Sequence, residues 1–218
     1  MDIHSIKQRY EKIWKSFADE LCSFYTEIGK YNSDGNNSLH EIIKSLHWVP
    51  YEAAHEIVKI PSVESSSGNI GSITGMFFEQ VVCSIIVPYI EHSVPAVKIE
   101  RNCCSDSKVR EISRDPDLFI QNGERSAVFE IKVVLTKPGI EKAKKLRENY
   151  RQKGVPYFLI GGKISAQRSE FEYLANKENR WASFTYSKNE NGLQNLPKID
   201  EILKIAVDYL NGTTTSAI

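Results

Sequence analysis

Apolar side chains recur at threes and fours through Ile6, Tyr10, Ile13, Phe17, Leu21, Phe24 and Ile28. That spacing marks one face of a helix, which Gly29 stops. Residues 31–37 are polar and read as a loop. Ser38-Leu39-His40-Glu41 has the form of a capping box, opening a second helix that should end before Pro50. A third short helix is expected over residues 53–58, and the Ser- and Gly-rich residues 65–71 read as a loop. Residues 72–90 are apolar on nearly every side, which predicts a buried helix. Thr, Gly, Gln, Ser and Pro88 interrupt this run too often for a membrane span, so no membrane is expected.

The periodicity then falls to two. Residues 117–120 and 128–134 are rich in Val, Ile and Phe and flank Asn122-Gly123, a hairpin signal. With Asn122-Gly123 as the turn, Asp117 pairs with Val128. Val128, Glu130 and Lys132 then share the face that carries Asp117, while Phe129 and Ile131 face a core. Asp117 and Glu130 become diagonal neighbours across two strands. Beyond the hairpin, residues 140–152 read as a helix capped near Gly154, and 155–160 as a buried strand closed by Gly161-Gly162. The connection should be a parallel βαβ crossover. Residues 163–192 are polar and aromatic, residues 199–210 form a closing helix, and the tail from Gly212 should be loose.

Two acids and a lysine on a Val-rich strand face need a reason, because ionised groups in a half-buried sheet are costly unless paired or bound to metal. A plain ion pair on a solvent-facing sheet is one answer. Against it, Glu130-Ile131-Lys132 is the only Glu-x-Lys triplet in the chain and Pro116-Asp117 the only Pro-Asp, and they fall on adjacent strands. Asp106-Ser107-Lys108 is set aside, since its surroundings have no strand pattern. The helix over 72–90 carries one acid, Glu79, and no Lys or Arg. Its neighbours at three and four residues, Gly75, Met76, Val82 and Cys83, offer no cation.

A helix with one inward acid, a strand, a hairpin with Pro-Asp and Glu-x-Lys, a helix and a strand: this order over residues 72–162 resembles the PD-(D/E)xK nuclease superfamily, and within it the type II restriction endonucleases. The resemblance implies an α/β fold with a restriction-endonuclease-like core, a mixed β-sheet flanked by helices, beside an N-terminal helical region. It implies that Asp117 is the central ligand of a Mg²⁺ ion, Glu130 the second, and the Ile131 carbonyl a third. Lys132 would orient or activate the attacking water, and Glu79 would join the metal directly or through water. Mg²⁺ suits such a site because it prefers carboxylate and water oxygens. Residues 1–64 would then be a helical part of the same domain, 65–162 the catalytic core, and 163–218 the DNA-recognition segment with the closing helix. The expected activity is site-specific hydrolysis of double-stranded DNA by a homodimer; a repair or recombination nuclease and a non-catalytic DNA-binding subunit are the alternatives.

Composition changes this picture little. The 218 residues carry 28 basic and 28 acidic side chains, so net charge is zero. Charge is nonetheless concentrated: residues 137–153 hold seven Lys and Arg against Glu141 and Glu148. Such a helix tracks phosphates or is simply solvated. Lys142 and Lys145 are expected to contact the DNA backbone. Gln167, Arg168 and Arg180, in a segment without core periodicity, are expected to read bases, the alternative being a surface helix and edge strand. No signal-peptide pattern opens the chain, which points to the cytoplasm. Cys22, Cys83, Cys103 and Cys104 lack zinc-module spacing. Lys44 and Lys59 stand where a zinc protease needs its second His after His40-Glu41 and His55-Glu56, and no Gly-x-Ser-x-Gly elbow occurs.

Overall fold

The computed structural model describes residues 8, 11–17, 19, 38, 39, 41, 43, 49–58, 69–102, 105–112, 116–164, 175, 180–186 and 197–214. The chain divides into two compact units, Met1–Val81 and Val82–Ile218. That boundary falls inside a long helix.

In the first unit residues 11–17 are helical. Trp14 and Phe17 pack their rings on Phe77, with centroids 4.5 Å and 4.6 Å away. The remaining positions of the predicted N-terminal stripe lie outside the described residues. Helix α1 is Val49–Val58, so the helix expected over 53–58 starts four residues earlier. Pro50 sits in its first turn, where the missing N–H costs nothing. Helix α2 is Asn69–Ser93, three residues longer at each end than the apolar run, so Asn69 to Gly71 belong to the helix and not to a loop. Among the described residues α2 is long and apolar enough to cross a membrane, but half of its apolar window is buried in the protein. Phe77, Phe78, Val81, Val82, Ile86 and Ile90 are fully buried, as is the free thiol of Cys83.

The second unit is a mixed α/β fold built on a five-stranded sheet of order β1-β2-β3-β4-β5. After α2 come β1 (Lys98–Arg101), the one-turn α3 (Ser107–Arg110), β2 (Leu118–Asn122), β3 (Arg125–Leu135), α4 (Lys137–Gln152), β4 (Tyr157–Ile164), β5 (Trp181–Tyr186) and α5 (Ile199–Leu210). β1, β2 and β3 are antiparallel, whereas β3, β4 and β5 run parallel. The β3–α4–β4 crossover is therefore as the sequence predicts. α3 occupies the segment set aside at Asp106-Ser107-Lys108, and α5 has the bounds read from the sequence.

The hairpin register departs from expectation. Asn122 pairs with Arg125 and Leu118 with Phe129, so the two-residue turn is Gly123-Glu124. Only Gly123 has a positive φ, +59°, the pattern of a type II′ turn with Gly first rather than the Asn-Gly type I′ turn. The shift is two residues, so every side chain keeps its predicted face.

Alternation then sorts two cores. Phe119, Val128, Tyr157, Leu159 and Trp181 share one face with Ile140, Ala143 and Tyr150 of α4. Leu118, Ile120, Phe129, Phe158 and Ile160 are fully buried on the other, where Phe129 and Phe158 stack at 4.7 Å. α5 packs on β3 and β5. Buried on both faces, β3 and β4 read as near-continuous apolar runs.

Three boundaries move for local reasons. α4 begins at Lys137 because Thr136 caps it, its hydroxyl accepting from the Gly139 N–H at 3.3 Å, with Pro138 in the first turn. β4 runs through Gly161-Gly162 instead of ending there: a Cβ at Gly161 would collide with Leu135 Cδ1. The tail from Gly212 is held as far as Thr214, whose carbonyl accepts from Arg125 at 3.1 Å. Gly161→Ala should therefore cost about 1–3 kcal/mol in urea unfolding, because the only relief is displacement of packed Leu135. An unchanged midpoint would show that Leu135 repacks freely.

Candidate functional site

Asp117 immediately precedes β2. Its carbonyl accepts from the Asn102 N–H at 3.3 Å, and Asn102 reaches that position with a φ of +51°. Continuing the β2–β3 register by one residue sets Asp117 opposite Glu130, so the two acids are direct and not diagonal neighbours. Because β2 has ended there, the Ile131 N–H is released from the ladder and donates to Asp117 Oδ2 at 2.6 Å. The amide of Ile131 is thus tied to Asp117.

Lys132 closes the cluster. Its Nζ lies 3.1 Å from Asp117 Oδ2 and 2.7 Å from Glu130 Oε1. Glu130 is the one charged side chain in the buried set of the described residues, 9% exposed. Burial first, and then the neighbouring Asp117 charge, push its carboxyl above the usual range, against the opposing pull of Lys132 and Lys142. For Lys132 burial works against the charge, but Glu130 and Asp117 outweigh it and raise the ammonium above its ordinary value. Asp117 Oδ1 and Glu130 Oε2 accept no hydrogen bond from another described residue. Two carboxylates held by one ammonium, with Lys142 lining the same cavity, leave oxygen donors to spare in a half-buried place. That donor set fits a hard divalent cation. Among the described residues no group of three His, Cys, Asp or Glu side chains converges.

Glu79 lies half-buried on α2 in the first unit, whereas Asp117, Glu130 and Lys132 all belong to the second. Lys142, expected to meet phosphates, lines a small cavity of about 50 Å³ together with Glu130, Lys132 and Tyr157. Lys145 is exposed on α4. Glu141–Lys144 and Glu148–Arg151 pairs lie within this segment, and Glu111 meets Lys153 from outside it, which lowers the charge excess by one; Lys137, Lys142 and Lys145 pair with no described residue. Gln167 and Arg168 lie outside the described residues. Arg180 precedes β5 and accepts the Leu159 N–H through its carbonyl at 3.0 Å, so this part of the proposed recognition segment is an edge strand with Trp181 in the core. Tyr157 was missed because residues 155–160 read as plain core. A tyrosine in a strand buried on both sides was the available signal, since its hydroxyl needs a partner.

Compared with known proteins, the chain matches no family model, and no curated protein is significantly similar to it.

The raised Glu130 carboxyl makes a prediction of definite sign. Its protonated form is favoured by the fold, so its contribution is full below the ordinary carboxylate range and is lost as pH rises through its raised value. Asp117, Lys132 and Lys142 are the charges that face it. Without metal, Glu130→Gln should be at least as stable as wild type at pH 7 and lose this advantage towards pH 4. Millimolar Mg²⁺ should raise the wild-type urea midpoint and leave that of the Gln variant unchanged. A Gln variant that is markedly less stable at neutral pH would show that the Lys132 pair dominates.

Proposed function

We propose that the chain is a Mg²⁺-dependent endonuclease that hydrolyses phosphodiester bonds of double-stranded DNA at specific sites, in the manner of type II restriction enzymes. The observation that carries this reading is the Asp117–Lys132–Glu130 cluster, with the Ile131 amide bonded to Asp117. The order of a helix, three antiparallel strands, a helix and a parallel strand supports a restriction-endonuclease-like core.

Asp117 Oδ1, the Glu130 carboxylate and the Ile131 carbonyl would hold Mg²⁺. When bound, the ion neutralises charge that develops on the scissile phosphate and the leaving 3′ oxygen. The Ile131 N–H and Lys132 fix Asp117 Oδ2, so the free oxygen points a settled way. Lys132, a donor between both acids, orients the attacking water and stabilises its developing charge. Lys142 and Lys145 sit on α4, where they would meet the phosphate backbone, with Gln167, Arg168 and Arg180 reading bases. A homodimer would suit cleavage of both strands at a palindromic site.

Plasmid incubated with protein and Mg²⁺ should give discrete bands. A smear or a preference for branched DNA would favour a repair nuclease, and no cleavage a binding subunit. Asp117→Asn, Glu130→Gln and Lys132→Ala should each abolish cleavage while leaving specific binding intact, because base contacts are elsewhere. Asp117→Asn with activity of wild-type order would refute the assignment. Ala at Arg168 or Arg180 should cost about 1–3 kcal/mol on cognate DNA and little on random DNA, whereas Ala at Lys142 or Lys145 should weaken both and lessen the salt dependence. Equal losses on both DNAs for every member of the first set would place base recognition elsewhere.

A further inference from the structure

Tyr157 opens β4 and is 1% exposed, and its hydroxyl is buried with no hydrogen-bond partner among the described residues. The ring stacks on Tyr150 with centroids 5.7 Å apart and planes 14° from parallel. The β3–β4 register sets Val128 beside Tyr157 and Glu130 beside Leu159, so Tyr157 and Glu130 are diagonal neighbours on the same sheet face. Both line the cavity of about 50 Å³ that α4 covers with Lys142, Ala143 and Leu146. A cavity of that size admits a water molecule, and among its mainly apolar walls Glu130, Lys132, Lys142 and Tyr157 supply the two to four partners a buried water requires. Tyr157 is a neutral donor, Glu130 an acceptor and Lys142 a charged donor. A buried phenol that met none of them would bear its full desolvation penalty.

We propose that Tyr157 is a positioning residue of the nuclease site: its hydroxyl donates through one water in this cavity to Glu130 and fixes the orientation in which that carboxylate meets a divalent cation. The inference rests on the nuclease reading given above. It also explains a division of labour. Lys132 holds Glu130 Oε1 directly, and the backbone of β3 holds the stem, but a glutamate has three rotatable bonds, and one ion pair does not fix them all. A hydroxyl reaching the carboxylate from β4 supplies the second restraint. Burial, and then the charges of Glu130 and Asp117, keep the phenol well above its usual range, so it remains a donor at neutral pH. Outer-shell partners of this kind matter because they set ligand direction and basicity without touching the metal.

Tyr157→Phe preserves the ring, its stacking on Tyr150 and the cavity wall, and removes only the hydroxyl. Mn²⁺ affinity is read by isothermal titration calorimetry on wild type and the Phe variant, with circular dichroism and the urea midpoint recorded for both without metal. The expected result is about tenfold weaker Mn²⁺ binding by the Phe variant, with no rise in its urea midpoint. Affinity within about twofold of wild type would overturn the proposal, and a raised midpoint beside it would mark the hydroxyl as an orphan whose removal relieves the fold. Absence of Mn²⁺ binding by wild type would overturn the nuclease reading and this inference with it. Normal binding by wild type and an unchanged Phe variant would overturn this inference alone.

Discussion

One ammonium between two carboxylates is the constraint around which the second unit is arranged. Lys132 Nζ bonds both Asp117 and Glu130, which offsets part of the cost of two like charges side by side on a covered sheet face. The arrangement is under-compensated, since burial and like charge both raise the Glu130 carboxyl. Lys132 and Lys142 pull the other way, so the cluster's balance is set by two cations facing two acids.

The fold creates this place by ending one strand early. β2 stops at Leu118 while β3 continues to Leu135, so Asp117 can turn its carboxylate to the amide that the ladder leaves unpaired at Ile131. The type II′ turn at Gly123-Glu124 fixes the register that brings Asp117 opposite Glu130. Arg125 anchors that turn from outside, donating to the carbonyls of Tyr209 and Thr214 at 2.8 Å and 3.1 Å, with its guanidinium over the Tyr209 ring. On the other side, the Thr136 cap and Pro138 launch α4 directly from the end of β3, and this short connection draws the helix and Lys142 over the Glu130 face. Gly161, lacking a Cβ, lets Leu135 fold into the space beside Lys132.

Much of this was legible in the sequence because the period-two rule is insensitive to a register error of two. The turn was placed one residue too early on each strand, yet Asp117, Glu130 and Lys132 kept a common face, and the error altered only whether the acids are diagonal or opposite. Elements with long apolar runs, α2 and β4, were found but cut short: Asn69 and Gly161 look like punctuation when no packing partner is known. The Ile131 amide, the Tyr157 hydroxyl and the place of Lys142 beside Glu130 depend on where one strand ends and how a helix lies over a sheet. No local pattern encodes those. The basic excess of α4 was visible as a count, but its reduction by Glu111 involves a residue outside that helix.

The central claim is that Asp117 and Glu130 bind a divalent cation together. An anomalous difference map from crystals soaked in Mn²⁺, recorded above the manganese absorption edge, tests it most directly. The account predicts a peak bounded by Asp117 Oδ1, the Glu130 carboxylate and the Ile131 carbonyl, absent from Asp117→Asn crystals treated alike. Crystals that take up Mn²⁺ elsewhere and show Lys132 still bridging two metal-free carboxylates would contradict it.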